Sequence, residues 1–175
     1  VLGRCGINII GRGRKLRVNY LTTEETKKLA VSVLEGISID DLDNGVDDNK
    51  GYVSLMHGED PEVINFSGFT DEADAICERV EQLNAVGVRL RDICVVARTN
   101  DLRNSYSAEL VKAGFDTYEI KANGSEDRNI NGVRMATMHR VKGLEFQHLF
   151  VAGVNDDKLP LKMFKSSDPV EIREH

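Results

Sequence analysis

Ile93-Cys94-Val95-Val96-Ala97 is followed at once by Arg98-Thr99-Asn100. The first five residues form an unbroken apolar run rich in β-branched side chains. Such a run predicts a strand buried on both faces, as in a parallel sheet, with Arg98, Thr99 and Asn100 just past its carboxyl end. Downstream, a helix is expected over Asp101 to Lys112, ended by Gly114, and then a strand over Phe115 to Ile120. Lys121 to Asn131 is polar and predicts a loop. Val133 to Thr137 and His148 to Ala152 read as two further strands. Upstream, Thr70 to Val86 places Ala73, Ile76, Val80 and Leu83 on one helical face, with Asp71 and Glu72 in a capping-box-like opening near Thr70. Strands alternating with helices imply an α/β fold, a doubly wound and mainly parallel sheet flanked by helices, whose ligands collect at the carboxyl ends of the strands.

The amino-terminal part repeats the pattern on a smaller scale. Leu16-Arg17-Val18 alternates and predicts a strand ending at Asn19-Tyr20. Thr22 or Thr23 then suits an N-cap, Glu24 and Glu25 the first turn, and Leu29, Ala30, Val33 and Leu34 the buried side of a helix stopped by Gly36. Ile37 to Gly51 is rich in Asp, Asn and Gly and predicts an acidic loop within one domain. Tyr52 to Met56 and Val63 to Phe66 predict short extended runs. The expected organisation is a single domain over residues 1–175.

The chain of 175 residues carries 29 acids and 23 bases, a net charge of -6. Ile37 to Glu62 alone holds 8 acids against Lys50, or -7, which leaves +1 for the remainder. The acidity is therefore local and does not argue against a nucleic-acid-binding face elsewhere. Arg4, Arg12, Arg14, Lys15 and Arg17 form an acid-free basic stretch that suits either a solvated surface or phosphate binding. Cys5, Cys77 and Cys94 are too irregularly spaced for a disulfide framework or a metal knuckle and are expected to be reduced thiols. No stretch approaches the roughly 20 apolar residues needed to cross a bilayer. A soluble, cytoplasmic protein without a membrane partner is expected.

The sequence contains no G-x-x-x-x-G-K-[ST] phosphate loop, no strand ending in adjacent acids suited to magnesium, and neither H-E-x-x-H nor G-x-S-x-G. No complete catalytic constellation is present, and no metal site is expected. His57, His148 and His175 stand alone. The most informative segment is Thr137-Met138-His139-Arg140-Val141-Lys142-Gly143-Leu144-Glu145-Phe146, which directly follows a strand. Polar and basic groups at a strand-to-loop corner, with a glycine that allows close backbone approach, suit contact with a charged ligand. They also suit a plain corner in which Thr137 caps, Lys142 and Glu145 are solvated and Gly143 turns the chain.

That segment, T-x-H-x-x-K-G-L-E-F, resembles motif V of the UvrD/Rep-like superfamily 1 helicases. Leu16-Arg17-Val18-Asn19-Tyr20-Leu21-Thr22-Thr23 is similar to the family's motif IV, and Val95-Val96-Ala97-Arg98-Thr99-Asn100 to its strand followed by R-T-N. Val151-Ala152-Gly153 and Leu159-Pro160 extend the resemblance, which runs from about Arg14 to Pro160. It implies the second RecA-like motor domain, a P-loop-NTPase-like fold without its own P-loop. Tyr20 matches the aromatic that stacks on adenine, Glu145 the acid that bonds the ribose, and Gly143 lends backbone beside it. Arg98, Asn100, Thr137 and His139 match contacts to single-stranded DNA. Lys142 lies within the motif without a clear assignment.

The resemblance implies the carboxyl-terminal motor domain of an ATP-dependent DNA helicase or translocase, such as serves DNA repair, moving 3′-to-5′ and incomplete as an enzyme by itself. ATP and Mg2+ would be held mainly by an amino-terminal RecA-like domain of the same protein. Alternatives are a subunit of a helicase-nuclease complex and a nucleic-acid-binding module that has lost its motor. Three departures bear on this. Leu21 stands where the family carries an arginine that reaches the γ-phosphate. Lys121 to Asn131 stands where many relatives insert an accessory domain. The chain ends at His175, before the place of motif VI, so a piece of a larger enzyme is expected.

Overall fold

The structure, a computed structural model, describes residues 18–33, 39–40, 46–47, 53–121 and 126–155. Its contacts group into two compact units, Val1–Ile64 and Asn65–His175, and each is described by itself.

In the first unit, β1 (Val18–Thr23) pairs in parallel with β4 (Val53–Met56), with Val18 opposite Val53 and Asn19 opposite Ser54. Helix α1 (Glu24–Ser32) starts at Thr23, whose hydroxyl accepts the Thr26 N–H at 3.3 Å. The stretch expected to be an acidic loop contains a small ladder, β2 (Ile39–Asp40) antiparallel to β3 (Val46–Asp47). Leu16, Arg17 and Gly36 lie outside the described residues. Val63 to Phe66, expected to be extended, forms no strand. Its side chains are exposed, and no neighbouring strand takes up its backbone groups, without which an isolated apolar run has no ladder.

The second unit holds a four-stranded parallel sheet in the order β6-β7-β5-β8, made of β5 (Ile93–Ala97), β6 (Thr117–Glu119), β7 (Val133–Thr137) and β8 (His148–Val151). All five residues of β5 are buried, as the unbroken apolar run predicts. Its alternation divides the core in two. Ile93, Val95 and Ala97, with Val133 and Met135, meet Ala73, Ile76 and Val80 of α2 (Phe69–Ala85) and Tyr106 and Leu110 of α3 (Asn100–Lys112). Cys94, Val96 and Ala136 face the other way, where Ile120, Tyr118, Val141 and Phe146 cover them.

Parallel strands force the connection from β7 to β8 to run from the carboxyl end of one to the amino end of the other. Here that connection is the motif-bearing segment itself. It passes β5, because β5 lies between β7 and β8. Val141 and Phe146 anchor it to the sheet, and its polar residues are left for the rim.

The start of α2 differs from the expectation. Its N-cap is Gly68 without a side-chain cap bond, and the Ser67 hydroxyl instead meets the Asp71 carboxylate. Glu72 does not cap either: it accepts the Tyr106 hydroxyl at 2.7 Å and the Gly153 N–H at 2.8 Å. Gly153 has φ +68, and a Cβ there would press on the tip of the Leu102 side chain. The chain thus leaves β8 in a backbone conformation that favours glycine. Among the described residues no helix is long and apolar enough to cross a membrane.

Candidate functional site

Adjacent parallel strands β5 and β7 end in register, with Ala97 opposite Thr137. The Met138 N–H continues the ladder to the Ala97 carbonyl at 3.1 Å, and the Arg140 N–H turns back to the Thr137 carbonyl at 2.8 Å. Beside this turn, Thr99 caps α3 by accepting the Leu102 N–H at 3.3 Å, which makes Asn100 the first helical residue. The two corners bring Arg98 and His139 together, with the guanidinium Nη1 3.2 Å from the imidazole Nδ1.

An arginine side chain has donors only, so His139 Nδ1 must accept and its proton sits on Nε2. The result is a cluster of donors at the carboxyl end of the sheet: the Arg98 fork, the His139 Nε2–H, the Thr137 hydroxyl and the Asn100 amide. His139 and Asn100 are exposed, and Arg98 and Thr137 are half-buried. Among the described residues no carboxylate is recorded against these donors, and such donors suit phosphate oxygens. The four residues read from the sequence as one group therefore lie at one rim of the sheet.

Gly143 and Glu145 belong to the far half of the same connection. The Leu144 N–H bonds the Val141 carbonyl at 2.9 Å, and the Gln147 N–H bonds the Asp92 carbonyl at 3.0 Å, which ties this half to the amino end of β5. Gly143 has φ +84 with no atom within 4 Å of a built Cβ. Its backbone is open to a ligand. Glu145 is exposed, with its carboxylate available to hydroxyl donors. Lys142 is exposed between half-buried Val141 and Gly143. Tyr20 lies on β1 of the first unit and is 65% exposed, so one ring face can receive a planar partner.

Sequence reasoning missed Arg134, which is 0% exposed within β7. Its Nε donates to Glu126 at 2.8 Å, and its other nitrogens to the carbonyls of Ile130 and Gly132 at 2.8 Å and of Asp127 at 2.9 Å. The guanidinium also lies 4.7 Å from the Tyr118 ring centroid. The only local signal is a charged residue inside an apolar strand, which is the rare case in which an arginine is buried because it is fully paired.

A parallel sheet covered by helices on one face, with donor-bearing turns past its strand ends, defines the α/β class to which RecA-like motor domains belong. Residues 117–174 match the family of the UvrD-like helicase C-terminal domain. The match includes Thr137, His139, Gly143 and Glu145, whereas Tyr20, Arg98 and Asn100 lie before it. Neither a curated protein nor a solved structure matches the chain.

Proposed function

We propose that this chain is the carboxyl-terminal motor domain of an ATP-dependent DNA helicase or translocase. The match of residues 117–174 to the UvrD-like helicase C-terminal domain supports DNA binding in general. The observation that carries the finer reading is the pairing of Arg98 with His139 beside Thr137 and Asn100. It gathers donors at two neighbouring strand ends, an arrangement suited to a phosphate backbone. By the resemblance, nucleotide contacts are assigned to the ring of Tyr20 in the first unit and, separately, to the Gly143 backbone and the Glu145 carboxylate in the second.

By the resemblance of the motif-bearing segment, magnesium and the phosphates of ATP are assigned mainly to an amino-terminal RecA-like domain. The residues of this chain would grip DNA at one end of the β7-to-β8 connection and nucleotide at the other. Closure of this domain against the amino-terminal one would couple the two ligands.

The test is ATP hydrolysis by the full-length protein, with and without single-stranded DNA, beside Leu21→Arg. DNA-stimulated turnover supports a working motor. No turnover in the parent but turnover in the variant supports the alternative of a binding module, because an arginine finger contributes orders of magnitude to phosphoryl transfer. Turnover in neither contradicts the motor assignment.

A further inference from the structure

The Glu145 turn is held by a part of the chain that the assigned contacts do not use. Arg128 Nη2 donates to the Glu145 carbonyl at 3.3 Å, and the Arg128 carbonyl accepts from Arg91 at 2.8 Å. Arg128 belongs to the segment 126–132, and Arg134 fixes that segment from below through Glu126, Asp127, Ile130 and Gly132. The Asp127 N–H adds a bond to the Tyr118 hydroxyl at 3.2 Å. Arg128 itself stays 64% exposed at its side chain and leans on Glu126 at 3.6 Å. A buried arginine that spends its donors on three carbonyls of one loop makes that loop a rigid arm.

We propose that Arg128 is a positioning residue for the Glu145 turn, held in place by Arg134, and that it sets nucleotide affinity through the main chain of Glu145. This rests on the assignment of Glu145 to the nucleotide. Without Arg128 the segment 143–147 keeps the Leu144–Val141 and Gln147–Asp92 bonds and the packing of Phe146 but loses the bond to the Glu145 carbonyl. The carboxylate then samples more orientations, and affinity falls by the worth of about one hydrogen bond.

The experiment uses this chain and the variants Arg128→Ala, Arg134→Lys and Glu145→Ala. Amide hydrogen exchange over 143–147 reads the positioning. Titration with a fluorescent ADP analogue reads the nucleotide, and a labelled oligothymidine reads the DNA. The expected result for Arg128→Ala is exchange about fivefold faster and nucleotide affinity about fivefold weaker, with DNA affinity and melting temperature unchanged. Arg134→Lys should reproduce the faster exchange, since a lysine cannot span the same acceptors. Unchanged exchange in folded Arg128→Ala would overturn the proposal. Faster exchange with nucleotide affinity insensitive to both Arg128→Ala and Glu145→Ala would leave the positioning intact and sink the nucleotide assignment and the effect on affinity. Weaker affinity in Glu145→Ala but not in Arg128→Ala overturns the affinity claim alone.

Discussion

The two units are held by different forces. Among the described residues every buried hydrophobic belongs to the second unit, from Ala73 to Ala152, whereas Val18, Tyr20, Val53, Leu55 and Met56 of the first unit are exposed. There, among the described residues, two neighbouring carboxylates of α1 tie the helix to β4 and to the residues after it, beside the β1–β4 ladder. Glu24 accepts from Lys27 at 2.6 Å and from the Ser54 N–H at 2.9 Å. Glu25 accepts from the Gly58 N–H at 2.9 Å and meets His57 at 3.0 Å. Ser54, the one buried residue of β4, meets the carbonyl of Thr22. Apolar burial responds little to pH, while half-buried carboxylate clasps do respond. The sheet that carries the donors proposed to meet DNA is thus held by apolar burial, and the unit that carries Tyr20 is the one expected to respond to pH.

The sharpest way to break this contrast is to attack the buried polar group inside the second unit. Arg134→Met leaves Glu126 and three carbonyls without their donor, and should destabilise the second unit by about 3–5 kcal/mol in denaturant unfolding. Gly153→Ala comes next, because it combines a left-handed backbone with pressure on the tip of the Leu102 side chain. About 1–3 kcal/mol is expected from the strained backbone. Tyr106→Phe removes the hydroxyl held by Glu72 and should cost about 1 kcal/mol. The Tyr106 hydroxyl's pKa is pushed up by burial and by Glu72.

The gentlest effect belongs to the first unit. His57 and the Gly58 N–H hold the Glu25 carboxyl down at about 2, below the usual value. A carboxyl whose pKa is lowered by folding contributes stability above its unfolded pKa and loses it as pH falls toward the folded value. Glu25→Gln should therefore lower the melting temperature of this unit at pH 6, and the difference should close between about pH 4.5 and pH 2. An equal difference at both ends would remove the clasp from the account. In the second unit Cys94 is buried and its thiol is pushed up to about 12, so it should resist alkylation at pH 8 until the unit unfolds.

Much of the second unit was legible because its signals are local. Ile93 to Ala97 and Val133 to Thr137 appear as strands over the residues expected, and α3 begins one residue early, with Thr99 as its cap. The cap of α2 was not legible, since Gly68 offers no side chain to read. Glu72 is spent on Tyr106 and Gly153, partners distant in sequence. The pairing of Arg98 with His139 depends on β5 lying beside β7, a strand order that no local pattern encodes. Arg134 was hidden for the same reason: its acceptors are carbonyls of a loop, and a carbonyl has no letter in the sequence.

The most direct test of the central claim is the salt dependence of single-stranded DNA binding by this chain and by Arg98→Ala, followed by fluorescence anisotropy. The account predicts that affinity falls linearly on logarithmic axes as salt rises. It also predicts that the variant binds more weakly with a slope shallower by about 0.7, the loss of one phosphate contact. The same affinity and the same slope in both proteins would contradict it.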